Sequence, residues 1–323
     1  MAEADRQEFD LQTVNSRACD KLRRDMGPIM GAALAHPKTV EVFLNPDGQL
    51  WQESLGEGMR VIGKLEPARA EAIIKTVAGF HRQEATRFNP IVEGEFPLDG
   101  SRFAGQLPPI VANPAFAIRK RAVAVFTLDE YVEKGIMSPK HAALIRNAVA
   151  SHKNILVIGG TGSGKTTLLN AAIHEMVVIN PFERITIVED TGELQCAAVN
   201  CVLYHTSPTV DMTRLLRVIL RMRPDRILVG EVRGPEALDL LDAWNTGHEG
   251  GAGSLHANNP DAALLRLRSL VTRNPAAPKE IEALIGECVH MIVHIARDGH
   301  SRRVLEVMEV HGYANGQYQT TRH

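Results

Sequence analysis

The residues with the most chemistry in them lie between positions 154 and 258. Asn154-Ile155-Leu156-Val157-Ile158 runs into Gly159-Gly160-Thr161-Gly162-Ser163-Gly164-Lys165-Thr166-Thr167, and then into Leu168-Leu169-Asn170-Ala171-Ala172-Ile173. This is G-x-x-x-x-G-K-[ST] set between an extended apolar run and a helical one, the context in which that pattern cradles phosphates. Glycines let the backbone curl without steric cost, so successive N–H groups can converge on phosphate oxygens. The loop also feeds a helix N-terminus, whose partial positive charge favours anions. Lys165 is expected to reach the β- and γ-phosphates and the Thr166 hydroxyl to bind Mg²⁺, so ATP and Mg²⁺ are the expected cofactors.

A phosphate cradle hydrolyses nothing quickly without an acid for the metal shell and a group that orients or deprotonates water. Two runs end in such acids. Ile185-Thr186-Ile187-Val188 ends in Glu189-Asp190-Thr191-Gly192-Glu193, and Arg226-Ile227-Leu228-Val229 ends in Gly230-Glu231-Val232-Arg233. In an open parallel sheet ligands sit beyond the carboxyl ends of the strands, so Glu189 and Glu231 are expected to face the same crevice as the loop. A third, glycine-rich segment runs from Thr246-Gly247-His248 to His256-Ala257-Asn258, and it is expected to bring its backbone close to ligand, with His256 contacting a terminal phosphate. Zinc at His248 and His256 fails for want of a third ligand at metal spacing. His290 and His294 have half the spacing of a metalloprotease motif, but Met291 stands where the general-base Glu belongs, so they read as strand decoration. Arg214, Arg217 and Arg221 share a helical face, with Arg223 and Arg226 after it. The run leads into an acidic strand and is expected to lie near bound phosphate.

The elements that must position these groups follow from patterning. Beyond residue 122, short β-branched runs alternate with longer helical ones, the signature of a mainly parallel sheet covered by helices. Expected strands are 155–158, 185–188, 201–204, 226–229 and 253–255, with later ones at 291–295 and 304–310. The first half reads as α+β. Leu11, Val14, Ala18 and Leu22 mark a helix ending before Gly27-Pro28, and a second helix starts at Met30 or Gly31. Residues 40–51 read as a hairpin, 67–80 as a helix, and 91–118 as short extended runs broken by prolines. Two domains are therefore expected, an N-terminal α+β domain over 1–122 and a P-loop domain over 123–323.

Composition narrows the function classes. Of 323 residues, 36 are Lys or Arg and 38 are Asp or Glu, a net charge of −2 that offers polyanions no global attraction. The four cysteines form no C-x-x-C pair, which suits a reducing compartment and argues against structural zinc. The acidic, polar start is unlike a signal peptide, and no apolar run approaches the roughly 20 residues that span a bilayer. A cytoplasmic location is expected. No N-K-x-D guanine-reading motif occurs, which favours ATP over GTP.

In combination and in order, the segments 159–167, 189–193, 220–233 and 246–258 resemble the Walker A, Asp box, Walker B and His box of the secretion ATPases of type II and type IV secretion systems. Gly100-Ser101-Arg102-Phe103 through Leu107-Pro108-Pro109 to Ile118-Arg119-Lys120 is similar to the part of that family's N-terminal domain that faces nucleotide. The resemblance implies a RecA-like C-terminal domain and a homo-hexameric ring at the cytoplasmic face of the inner membrane, working with other components of a conjugative secretion apparatus. It implies that Glu189 activates water, that Glu231 holds the Mg²⁺ shell, and that Arg102 and Arg119 contact the distal phosphates. Thr191-Gly192-Glu193-Leu194 departs from the pilus motors, which typically carry a Pro and a second Glu-Phe there; this favours the type IV branch. The competing expectations are a DNA-stimulated RecA-like translocase or helicase, which needs a local basic track, and a scaffold ring locked by nucleotide.

Overall fold

Alternating apolar residues sort the first part of the chain into one antiparallel sheet, and unbroken apolar runs sort the second into a largely parallel one. The computed structural model describes residues 2–54, 57–120, 126–207, 209–299 and 301–323, with side chains from Ser16 onward. The chain divides into two compact units, Met1–Val123 and Ala124–His323. The boundary expected at 122/123 falls among residues 121–125, outside the described residues.

In the first unit the order is α1 (Ala2–Ala35), β1 (Thr39–Leu44), β2 (Gln49–Ser54), β3 (Gly58–Lys64), α2 (Pro67–Phe80), β4 (Ile91–Glu95), β5 (Arg102–Gln106) and β6 (Ala115–Arg119). The strands form one antiparallel sheet in the order β3-β2-β1-β6-β5-β4. Helix α1 breaks at Gly27, where φ is 70° and ψ 179°, next to Pro28, which has no N–H for the ladder. The expected spacing of Leu11 and Val14 lies outside the described side chains. After it, Leu22, Met26, Met30 and Leu34 recur every four residues and bury one face together with Ile73, Ile74 and Val77 of α2.

The second unit runs α3 (Leu128–Glu133), α4 (Pro139–Ala150), β7 (Ile155–Ile158), α5 (Lys165–Ile179), β8 (Ile185–Glu189), β9 (Cys201–His205), α6 (Met212–Ile219), β10 (Arg226–Val229), α7 (Glu236–Asn245), β11 (Ala252–Leu255), α8 (Pro260–Val271), α9 (Ile281–Cys288), β12 (Met291–Asp298), β13 (Ser301–Ala314) and β14 (Gln317–Arg322). The sheet order is β14-β13-β12-β7-β11-β10-β8-β9. From β12 to β9 all neighbours pair in parallel, and β13 and β14 extend that edge antiparallel. Strands β7, β8, β10 and β11 are buried along their whole length, as strands covered on both faces must be. One face packs under Leu216, Leu241, Trp244 and Leu264, the other under Leu128, Ile145, Leu169 and Met176. This is the α/β architecture that the patterning predicted.

Strand β14 has no sequence signature, because its polar residues are largely exposed and only pairing to β13 makes it a strand. The strands expected at 291–295 and 304–310 extend to Asp298 and from Ser301 to Ala314, forming a long hairpin. Among the described residues no helix is long and apolar enough to cross a membrane.

Candidate functional site

Strand β7 lies between β12 and β11, so its carboxyl end opens near the centre of the sheet, where the 159–164 loop turns into α5. Two glycines are required there. Gly159 passes so close to β12 that a Cβ would collide with the Ile295 carbonyl, and Gly164 caps α5 in the left-handed region at φ 97°. Lys165 is buried, and its Nζ donates to the carbonyls of Gly159 at 3.2 Å and Gly160 at 3.1 Å. The same ammonium lies 3.4 Å from both ring nitrogens of His256, at the carboxyl end of β11. Ser163 Oγ is buried and has no hydrogen-bond partner, a polar atom held inside the loop. Thr166, the residue after Lys165, donates its hydroxyl to Glu193 Oε2 at 3.2 Å.

The acids divide into two kinds. Glu189, the last residue of β8, is 3% exposed, and its Oε2 accepts the N–H groups of Glu193 at 2.9 Å and Leu194 at 3.1 Å. Its Oε1 stands 3.7 Å from His205 Nε2. The carboxylate thus staples the turn that carries Glu193, and it can turn toward water only by releasing those amides. Glu193 is further fixed from α5, because Asn170 Nδ2 donates to its carbonyl and Asn170 Oδ1 accepts the Gln195 N–H. Glu231 lies beyond β10, where Arg233 Nη2 donates to its Oε2 at 2.6 Å and Arg233 Nη1 reaches Asp190 at 3.4 Å. His256 Nε2 lies 2.9 Å from the buried Glu231 Oε1.

The structure therefore brings Lys165, Thr166, His256, Glu189 and Glu231 to one edge of one sheet. It adds three residues that spacing alone did not assign: Glu193, Arg233 and Arg302. Glu193 is visible in the sequence as the second acid of its box, four residues after Glu189. Arg302 has no such signal, since it comes from the distant β13 strand, yet its Nε donates to the Gly162 carbonyl at 3.3 Å. The oxygen set is hard. Thr166 Oγ1 and the Glu231 carboxylate suit Mg²⁺, which prefers oxygen ligands.

Strand β11, expected at 253–255, runs through the sheet in the middle of the glycine-rich segment from Thr246 to Asn258. His248 precedes that strand and His256 follows it, so the two stand at opposite edges. The N–H groups of Gly250 and Gly251 both donate to Asn154 Oδ1 at 2.9 Å. Two expectations need correction: of the arginine run expected near bound phosphate, two members are held elsewhere. Arg217 binds Asp239, and Arg226 is fully buried at the amino end of β10, paired with Glu183 and donating to Gly250 and Val149 carbonyls. His290 is not on a strand; it precedes β12, and its Nδ1 accepts the Asn154 N–H at 3.0 Å.

In the first unit Arg102 and Arg119 stand directly opposite each other on β5 and β6. The register continues outward to Glu95 beside Arg102 and to Glu41 and Glu53 beyond Arg119, so five charged residues form one row across the sheet. Directly opposed like charges repel, and the flanking glutamates offset this. Burial raises the Glu41 carboxyl above its usual value, while the Arg119 charge pulls it back down. The row presents two guanidinium groups side by side, an arrangement suited to an anion of spread charge.

A family model described as type II/IV secretion system protein matches residues 84–318. The conjugal transfer protein TrbB of Rhizobium radiobacter is 49% identical over 304 residues, 94% of this chain and 94% of that one. The type IV secretion system protein PtlH of Bordetella pertussis is 33% identical over 312 residues, 85% of this chain and 91% of that one. Among solved structures, the ATPase DotB of Legionella pneumophila superposes with a TM-score of 0.64 at 19% identity, covering 87% of this chain and 79% of that one, a likeness of fold alone. With a P-loop, two acidic strand ends and a histidine at one sheet edge, and with this similarity along nearly its whole length, the chain belongs to the type II/IV secretion system protein family.

Proposed function

We propose that this chain is a Mg²⁺-dependent ATPase that energises assembly of, or transfer through, a conjugative type IV secretion apparatus. The observation that carries the reading is the Thr166 hydroxyl bound to Glu193 at the start of α5, beside a lysine held on the loop carbonyls. The names of the TrbB and PtlH relatives support the biological setting. In this reading the chain acts as a homo-hexamer at the cytoplasmic face of the inner membrane, bound to other parts of the apparatus.

The loop amides from Gly160 to Thr167 hold the β-phosphate, and Lys165 exchanges its two carbonyl partners for β- and γ-phosphate oxygens. Thr166 and Glu231 would hold Mg²⁺, which would supply positive charge to offset the charge that develops in hydrolysis. Glu231 orients that metal shell, and His256 reads the γ-phosphate beside Lys165. Glu193, not Glu189, orients water for in-line attack, because Glu189 is occupied in holding the turn. Glu189 is a positioning residue. Arg102 and Arg119 would stabilise the distal phosphates.

Steady-state hydrolysis and nucleotide binding by purified variants test the reading. Lys165→Ala is expected to abolish turnover. Glu193→Gln is expected to lower kcat by about 10²-fold or more while nucleotide still binds, in the range of a lost general base. ATP hydrolysis at the wild-type rate by Lys165→Ala overturns the site. Full activity of Glu193→Gln alongside a dead Glu189→Gln reverses the roles of the two acids.

A further inference from the structure

Helix α5 buries Leu168, Leu169, Ile173 and Met176 in the core, and beyond Lys165 one polar residue, Asn170, lies among them, fully enclosed. Asparagine is a poor residue for a helix interior, and burying its amide is unfavourable unless hydrogen bonds offset the lost water. Its partner is the turn after β8. Residues 193–195 belong to no helix or strand, so their backbone N–H and C=O groups have no ladder to join.

Two side chains take the place of a ladder. From the sheet, Glu189 Oε2 accepts the N–H groups of Glu193 and Leu194 at 2.9 and 3.1 Å. From the helix, Asn170 Nδ2 donates to the Glu193 carbonyl at 3.3 Å, and Asn170 Oδ1 accepts the Gln195 N–H at 2.9 Å. A carbonyl only accepts and an N–H only donates, so the amide is held in one orientation, and a carboxylate of the same shape loses the donor. Asn170 stands four residues after Thr166, one turn further along the same helix face. Thr166 donates to the Glu193 carboxylate at 3.2 Å while Asn170 binds the Glu193 backbone, so that face of α5 grips the acid at both ends.

We propose that Asn170 is a positioning residue for hydrolysis, fixing Glu193 to the helix that follows the phosphate loop. It touches no reacting atom; its effect passes through Glu193. With the backbone of that residue pinned, only side-chain torsions are left to order before in-line attack, and the entropy of placing the acid is already lost in the folded state. Without the clamp the turn is held from the sheet alone. The inference rests on the reading of Glu193 as the acid that orients water.

The test compares purified full-length Asn170→Asp and Asn170→Leu with the wild type. Asp keeps the acceptor for Gln195 but sets an acceptor against the Glu193 carbonyl; Leu removes both bonds at similar size. Each is expected to lose about tenfold to a hundredfold in kcat, the scale of a displaced catalytic group, with the KM for ATP within about twofold of wild type. In a Glu193→Gln background Asn170→Asp is expected to lower kcat no further, because a residue that acts only through Glu193 then has nothing left to place. Asn170→Asp, the closer match in shape, carries the test if Asn170→Leu does not fold. Wild-type kcat in a folded variant, a raised KM at unchanged kcat, or losses that multiply with Glu193→Gln overturns the positioning role and leaves the ATPase reading standing. A wild type that binds ATP without hydrolysing it overturns the ATPase reading instead. Amide exchange over 190–198 then decides the clamp: faster exchange in the variants supports it, and unchanged exchange overturns it.

Discussion

At the scale of single residues, what separates the acids is what already occupies them. Glu189 spends its carboxylate on two amides of its own turn, and Glu193, presented by that turn, meets the hydroxyl that would bind metal. Arg302 works from outside the loop. The Gly162 carbonyl that it engages belongs to the same peptide unit as the Ser163 N–H, so the guanidinium both fixes that unit and polarises its N–H toward an anion. Loss of one such charge-assisted bond is worth roughly 1.5 kcal/mol, or about tenfold in affinity. Arg302→Ala is therefore expected to raise the KM for ATP about tenfold with kcat changed little, and Arg302→Lys to recover part of it. Steady-state kinetics on both variants check this, and an unchanged KM removes Arg302 from the binding machinery.

At the scale of elements, the two edges of the parallel sheet do different work. The carboxyl edge carries the phosphate loop and the acids, and the amino edge carries a buried polar lock. There Arg226 pairs with Glu183 while Asn154 holds Gly250, Gly251 and the Cys288 carbonyl. Removing one partner of a buried pair strands the other charge. Arg226→Met is expected to cost about 3–5 kcal/mol in denaturant unfolding, and the double variant with Glu183→Leu to recover much of that. His290 gives the same edge a pH dependence. Burial, reinforced by the Lys153 charge, holds its imidazole below the usual value, and Nδ1 must stay unprotonated to accept the Asn154 N–H. The folded state therefore binds this proton less readily than the unfolded one. Its contribution to stability is full above the unfolded value of about 6.5 and is lost as pH falls through the lowered folded value. Melting temperature is expected to fall as pH is lowered from 7 to 5, with a shallower slope in His290→Gln; equal slopes remove His290 as the cause.

At the scale of the whole molecule, the paired arginines of the first unit and the phosphate loop of the second belong to one function only if nucleotide draws on both. Solution mass is expected to rise to that of a hexamer with ATP and Mg²⁺. Arg102→Ala and Arg119→Ala are each expected to lose turnover while keeping their fold by circular dichroism. Normal turnover in both variants removes the arginine row from the site. Hydrolysis is expected to respond little to single-stranded DNA, because a net charge of −2 supplies no general attraction for a polyanion. A large, salt-sensitive stimulation points to a translocase instead.

Much of this molecule was legible in its residues. The unbroken apolar run of β7 gave its position to the residue, because a strand buried on both faces leaves little room for polar side chains. The phosphate loop was equally plain, since its glycines are demanded by local backbone geometry. Polar β14 was not visible, because only its pairing to β13 makes it a strand. His248 and His256, eight residues apart, were separated to opposite sheet edges by the strand between them. Sequence by itself determined the P-loop motif, the parallel strands and the family, all of which rest on local spacing. Which acid meets the Thr166 hydroxyl and which arginine meets Gly162 were decided by tertiary structure, because each depends on the packing of segments far apart in the chain.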